Sequence, residues 1–363
     1  MSTRNSRIIS SWPLDSGAGS GVARVASGLG RALEANGWDS ELVSSDFSGE
    51  GYFSTTVKRI LFNLNLRGES RLHDGRPVIA FDFDGFLLPK TVRFAQINGG
   101  ILSDIVQFET GLVGQAVRLM ARLEKLASMK ADRIFTPSNY AAQKIRDLYD
   151  VPPEKISVMH NGIFFQEWRN RLAAVPRKQG RSPTVLSVAR FYKRKGIDLL
   201  LKSWPIVLAK LPDARLSIVG DGLERENLKR LAEKLGINGS IDWKGTVLSD
   251  EEMASHYADC DVFCLPSRHE SFGLVFIEAM ASEKPVVAVN STAVPEVVRD
   301  GIDGILAEPE DVNGIAAGIM TLLENSALRT KMGAEGAQRV RENFDFSRVI
   351  TPLLDWMEER NAK

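Results

Sequence analysis

Two carboxylates, Glu270 and Glu278, stand eight residues apart in the run Pro266-Ser-Arg-His-Glu-Ser-Phe-Gly-Leu-Val-Phe-Ile-Glu-Ala-Met-Ala-Ser-Glu-Lys-Pro285. Carboxylates so paired can move protons or hold hydroxyl groups. Residues 262–265 form a short apolar run suited to a buried strand, Pro266 and Ser267 end it, and a helix is expected from near Phe272. Glu270 then sits on the loop at the carboxyl end of a strand, and Glu278 about two turns along the helix. Ligands of open α/β sheets bind at that end of the strands. The backbone N–H groups of Phe272, Gly273 and Leu274 would be first-turn donors suited to an anion. The plain alternative is one exposed loop carboxylate and one helix-surface carboxylate.

Cations are expected nearby. Ser187-Val-Ala-Arg190 closes a strand, and Lys193, Lys195 and Gly196 follow before a helix at Ile197. Arg190 offers a forked contact to a phosphate and Lys195 a point charge. A solvated basic loop accounts equally for Lys193 and Arg194. Gly220-Asp-Gly222 and Gly245-Thr-Val-Leu-Ser249, which contains Val247, follow two further strands. Glycine there also serves a tight strand-to-helix turn.

Near the start, Asp15-Ser-Gly-Ala-Gly-Ser-Gly21 carries Gly17 and Gly19 ahead of a helix. A dinucleotide site would place Gly-x-Gly-x-x-Gly directly after a strand. Here Trp12-Pro13 intervenes and the spacing differs, which disfavours a dehydrogenase. Asp82-Phe-Asp84-Gly85 closes another strand. Asp84, or failing it Asp82, is a candidate for contact with ligand hydroxyl groups, against a carboxylate satisfied by turn N–H groups.

The elements that position these residues alternate. Residues 184–188, 215–219, 241–243, 262–265 and 286–289 read as strands, with helical apolar spacing between them, as in Ile197, Leu200, Leu201, Trp204, Val207, Leu208 and Leu211. Ser249 and Glu252 form a capping box. The first half repeats this pattern through residues 8–11, 78–83, 94–97, 134–136 and 156–159. Such alternation predicts doubly wound parallel sheets. Residues 164–183 have a linker composition, which sets the domains at 1–170 and 171–345.

The chain has 363 residues, enough for two domains, and its 46 basic residues balance its 46 acidic ones. Bulk electrostatics therefore give no reason to expect nucleic acid. Cys260 and Cys264 are four apart on an extended element, so about 13 Å separates them, and packed thiols are expected rather than a disulfide. No signal-peptide pattern and no long apolar span is present, so a cytoplasmic location is expected. Residues 115–130 carry Arg118, Arg122 and Lys125 at helical spacing, which suits either a solvated face or peripheral contact with the inner face of a membrane.

The Pro-Ser-x-x-Glu-x-Phe-Gly-Leu, Glu-Ala-Met-Ala and Lys-Pro-Val-Val segments resemble the Glu-x7-Glu region of the large retaining glycosyltransferase family 4, the glycosyl transferases group 1. The resemblance implies an α/β GT-B fold of two Rossmann-like domains facing across a cleft, with the helix of 346–363 packing back on the first domain. It implies transfer of a sugar from a nucleotide-diphosphate sugar to a hydroxyl acceptor, with no other cofactor and no metal. By the same resemblance, Glu270 orients the donor sugar, Glu278 holds the ribose, and Arg190 and Lys195 contact the diphosphate. Gly220 and Val247 line the base pocket, and Gly19, with Gly17, approaches the donor phosphates. Asp-x-Asp is the metal pattern of the other large glycosyltransferase fold, but Arg190 and Lys195 already offer the charge. A histidine that many relatives carry in the first domain is missing here. A nucleotide-sugar epimerase on the same fold and a silent nucleotide-sugar-binding protein are the rival readings. Acceptor, base, sugar and oligomeric state stay open.

Overall fold

The computed structural model describes residues 4–12, 21–45, 52–176, 180–247 and 249–361. Gly17 and Gly19 lie outside the described residues. The chain divides into two compact units, Met1–Gly162 with Phe346–Lys363, and Ile163–Asp345.

The first unit is built on six parallel strands: β1 (Arg4–Ser10), β2 (Trp38–Ser44), β3 (Val78–Phe81), β4 (Phe94–Ile97), β5 (Arg133–Thr136) and β6 (Ile156–Val158). Their order is β2-β1-β3-β4-β5-β6. Every residue of β3 and β4 is buried, as continuous apolar strands must be when helices cover both faces. Helices α1 (Gly21–Ala35), α2 (Tyr52–Leu66), α3 (Leu102–Ile105), α4 (Gly111–Lys130) and α5 (Asn139–Tyr149) fill the connections. Gly37 ends α1 in the left-handed region, φ 79°. Ser138 caps α5, its Oγ accepting the Ala141 N–H at 3.1 Å.

The second unit repeats the plan with β7 (Thr184–Val188), β8 (Arg215–Val219), β9 (Ile241–Gly245), β10 (Val262–Leu265), β11 (Val286–Val289) and β12 (Gly304–Ala307). The order is β12-β11-β10-β7-β8-β9, again all parallel. Its helices are α6 (Phe165–Ala174), α7 (Ile197–Lys210), α8 (Arg225–Lys234), α9 (Asp250–Ala258), α10 (Leu274–Ala281), α11 (Val294–Val297), α12 (Val312–Glu324) and α13 (Ser326–Asn343). Ser249 caps α9 by accepting the Glu252 N–H at 3.1 Å. Cys260 and Cys264 are free and buried, and burial pushes the Cys260 thiol up to about 12.

The boundary differs from the one composition suggests. Most of the expected linker is helix: α6 buries Trp168, whose Nε1 donates to Ser282 Oγ at 2.9 Å and whose ring meets Tyr257 edge-on. Packing on the second unit moves the division to Gly162 and Ile163. The last segment is α14 (Phe346–Val349) and α15 (Thr351–Asn361) rather than one helix, with Pro352 opening the second. It belongs to the first unit. Trp356 meets Phe135 edge-on, and a Cβ at Gly28 would stand 2.3 Å from the Phe346 ring. Glycine at position 28 leaves the notch that this ring fills.

Candidate active site

All strands of the second sheet run in parallel, so the loops after β7, β8, β10 and β11 share one edge. Glycines let these loops touch. Gly196 has φ 67°, and a Cβ there would lie 1.9 Å from the Pro266 carbonyl oxygen. The Arg194 carbonyl oxygen accepts the Arg268 N–H at 2.8 Å and the His269 N–H at 3.3 Å. Arg268 then forks onto Asp198 at 2.6 and 3.0 Å. The loop after β7 is thereby fastened to the loop after β10, which brings Lys195 to Glu270.

Lys195 Nζ lies 2.6 Å from Glu270 Oε1, and the Lys195 and Glu270 side chains are 15% and 6% exposed. Ser267 Oγ donates to the same oxygen at 2.9 Å. Burial acts to raise the Glu270 carboxyl, but Lys195 and Arg194 outweigh it and hold the group below its usual range. The Glu270 backbone is held as well. Its N–H donates to Thr292 Oγ1 at 3.0 Å, and its carbonyl accepts the Ala293 N–H at 3.3 Å. Thr292 has φ 52°, a left-handed conformation that costs a β-branched residue about 1–3 kcal/mol.

Glu278 is not on a helix surface. It lies in the run of α10 that is buried from Phe276 to Ala281, and its Oε2 accepts the Tyr257 hydroxyl at 2.9 Å. Helix α10 starts at Leu274, two residues later than Phe272, because Gly273 adopts φ 91° and a Cβ there would be 2.4 Å from the Phe276 ring. Phe272 instead turns inward and meets Phe344 edge-on. The first-turn donors are therefore those of Leu274 and Val275, not Phe272.

Arg190 is exposed, and its guanidinium makes no ion pair or hydrogen bond among the described residues. Gly220 has a packing reason for its identity, since a Cβ would stand 1.8 Å from the Ala189 carbonyl oxygen. Phe191, beside Arg190, is buried against Trp243, and its N–H donates to the Asp221 carbonyl at 2.8 Å. Val247 is part of the hydrophobic core.

In the first unit, Asp84 does not offer itself to a sugar. It is fully buried; Oδ2 accepts the Ser11 N–H at 2.6 Å and Oδ1 the Asn63 amide at 2.8 Å. This is the turn-fixing alternative, completed by a side chain from α2. Asp82 differs. It stands at φ 51° with its carboxylate 3.4 Å from the Gly99 N–H and 3.5 Å from Arg59. Arg59 lies 4.7 Å from the Trp12 ring and 4.1 Å from the Phe83 ring, and its Nε donates to Ser11 Oγ at 2.7 Å. Burial pushes both the Asp82 and Asp84 carboxyls up, against the pull of Arg59. Among the described residues, no three His, Cys, Asp or Glu side chains gather as metal ligands.

The family model described as glycosyl transferases group 1 matches residues 169–339, the stretch that holds Arg190, Lys195, Glu270 and Glu278, and the model described as glycosyltransferase family 4 matches residues 106–166. Both models describe glycosyltransferases, and the second unit matches the group 1 model along most of its length. Over 190 residues, the chain is 32% identical to the GDP-mannose-dependent alpha-(1-6)-phosphatidylinositol monomannoside mannosyltransferase of Mycobacterium tuberculosis, covering 50% of this chain and 49% of that protein. It spans about half the length of the curated relatives it matches. Sucrose-phosphate synthase from Thermosynechococcus elongatus is similar in structure over 99% of both chains, with a TM-score of 0.79 and 20% identity. Anabaena HepE, solved with UDP and glucose, gives a TM-score of 0.74 and 17% identity over 98% of this chain and 99% of that one. With the two parallel six-stranded sheets, these likenesses establish the α/β two-domain GT-B fold.

Two residues escaped sequence reading. Thr292 carries no local signal, because its contact with Glu270 spans 22 positions. Glu124 does carry one: it follows Val117 and Met120 on the apolar stripe of α4. It is fully buried, accepts from Asn98 Nδ2 at 3.1 Å and from the Leu102 N–H at 2.8 Å, and bonds the Tyr149 hydroxyl. Burial raises its carboxyl to about 8.

Proposed function

We propose that this chain transfers a sugar from a nucleotide-diphosphate sugar to a hydroxyl acceptor with retention of anomeric configuration. The observation that carries the reading is the Lys195–Glu270 pair at one sheet edge, beside an Arg190 with no side-chain partner among the described residues. Departure of a nucleoside diphosphate builds negative charge on phosphate oxygens. Arg190 and Lys195 would receive that charge, so no divalent cation is needed for it. Glu270, held at its N–H, carbonyl and carboxylate, would accept hydrogen bonds from donor-sugar hydroxyls. Glu278, oriented by Tyr257, would hold the ribose. In this reading neither carboxylate is a covalent nucleophile. The acceptor oxygen bonds to the anomeric carbon on the face that the diphosphate leaves, and the acceptor proton passes to the departing phosphate oxygen.

The names of the relatives include GDP-mannose and UDP, which leaves the base of the donor to experiment. Thermal-shift screening against UDP-, GDP-, ADP- and TDP-sugars is expected to find one donor that stabilises the fold, by about 2.7 kcal/mol at a concentration of 100 Kd. Incubating that donor in water with a chelator is then expected to release the sugar slowly with its anomeric configuration kept. Inverted product, epimerisation at C2, or binding with no turnover would each overturn the proposal.

A further inference from the structure

No helix among the described residues is long and apolar enough to cross a membrane, yet two neighbouring helices of the first unit present apolar side chains to solvent. In a right-handed parallel sheet, the crossovers β2-α2-β3 and β4-α4-β5 run in the same direction, so α2 and α4 cover the same side. They also touch each other, Thr56 Oγ1 lying 3.7 Å from Met120 Sδ. Among the described residues, seven of the twelve large exposed apolar side chains lie on these two helices: Val57, Leu61 and Leu64 on α2, and Leu112, Leu119, Leu126 and Met129 on α4. Leu112 is 78% exposed, Met129 54% and Leu61 52%. Leu112, Leu119 and Leu126 recur every seven residues and form one stripe.

The exposed charges carried by these two helices themselves are all positive. Helix α2 contains no acidic residue, and the single acid of α4, Glu124, is buried on the opposite side. Arg67, Arg118, Arg122 and Lys130 are exposed, while Lys125 is paired with Asp150 at 2.8 Å. Leucines interleaved with cations, on helices that lie along the surface, are complementary to the boundary of an anionic bilayer. A two-fold contact between copies would set Arg118 and Arg122 against their own equivalents. We propose that the face formed by α2 and α4 docks on an anionic lipid surface, independently of the transfer reaction.

The test is co-sedimentation of the full chain with vesicles of phosphatidylcholine alone and of phosphatidylcholine with about one-third phosphatidylglycerol. Binding is expected only to the mixed vesicles, and to fall with added salt. Leu119→Glu with Leu126→Glu is expected to lower partitioning by about ten-fold or more, and Arg118→Gln with Arg122→Gln to weaken it without removing any leucine. Leu223→Glu, an exposed apolar position of the second unit, serves as the control and keeps wild-type binding. The proposal fails if the mixed vesicles leave the protein in solution at low salt, or if the Leu119/Leu126 variant binds as wild type. It also fails if the wild-type chain is a dimer that the same variant converts to monomers.

Discussion

Glu124 gives the sharpest physical test of the first unit. Its carboxyl has an ordinary value of 4.5 and is raised to about 8, first by burial and further by Asp82, with Tyr149 opposing. Between those two values the folded chain keeps the proton and the unfolded chain has lost it. The unfolded state therefore binds fewer protons, and stability falls as pH rises, by about 1.4 kcal/mol per unit. From pH 5 to pH 7 the loss is about 2–3 kcal/mol, and it levels off above about 8. Glu124→Gln removes the titrating proton, and its single oxygen can accept either at the position facing Asn98 or at the one facing Leu102 and Tyr149. Whatever that costs at both pH values, the variant is expected to gain on wild type by about 2–3 kcal/mol between pH 5 and pH 7. Because two units need not unfold together, the opening free energy is best read by hydrogen exchange at amides of α4 and β4. A wild-type-minus-variant difference that stays flat from pH 5 to pH 7 would refute the reasoning, since Glu124 would then ionise in its ordinary range. An infrared band of a protonated carboxyl, present at pH 7 and missing from the variant, is the independent check.

Three further outcomes are expected. Arg190→Ala should leave stability within about 0.5 kcal/mol and lower kcat about 100-fold or more; turnover at the wild-type level would remove Arg190 from the diphosphate site. Gly196→Ala adds a Cβ 1.9 Å from the Pro266 carbonyl at a left-handed φ, so it should lower the denaturant midpoint by the equivalent of about 2 kcal/mol or more, and an unchanged midpoint would show that the two loops are not clamped there. Thr292→Val removes the acceptor of the Glu270 N–H while keeping the side-chain shape, and should raise the donor KM about ten-fold with the far-UV spectrum unchanged; equal KM values would show that Thr292 does not position Glu270.

The sheets were legible where strands are buried on both faces. Residues 94–97, 184–188, 215–219, 262–265 and 286–289 read as strands and are strands with those bounds, because central parallel strands are continuous apolar runs. The two strands without a sequence signal, β2 and β12, are both edge strands. One flank of each is open, and a sequence such as Trp-Asp-Ser-Glu-Leu-Val-Ser has no apolar run to find. Helix α6 was hidden because a single tryptophan anchors an otherwise polar stretch. At the candidate site, Arg190, Lys195, Glu270 and Glu278 could be singled out because each stands near a strand–helix junction that is visible locally. The plain alternative of a helix-surface Glu278 does not hold, because Tyr257, from another element, meets its carboxylate in the core. Asp84 was misjudged for a related reason: Ser11 and Asn63, distant in sequence, satisfy it.

The return of residues 346–361 to the first unit has a consequence for how the chain is made. Every strand of the first sheet leaves the ribosome before residue 163, but the Phe346 ring that fills the notch at Gly28 follows nearly two hundred residues later. The second unit is a single continuous stretch, so all of its sequence is at hand before the first unit can be closed. Synthesis therefore inverts the order of completion: the half begun first is finished last, and until then it must wait with an uncovered apolar notch.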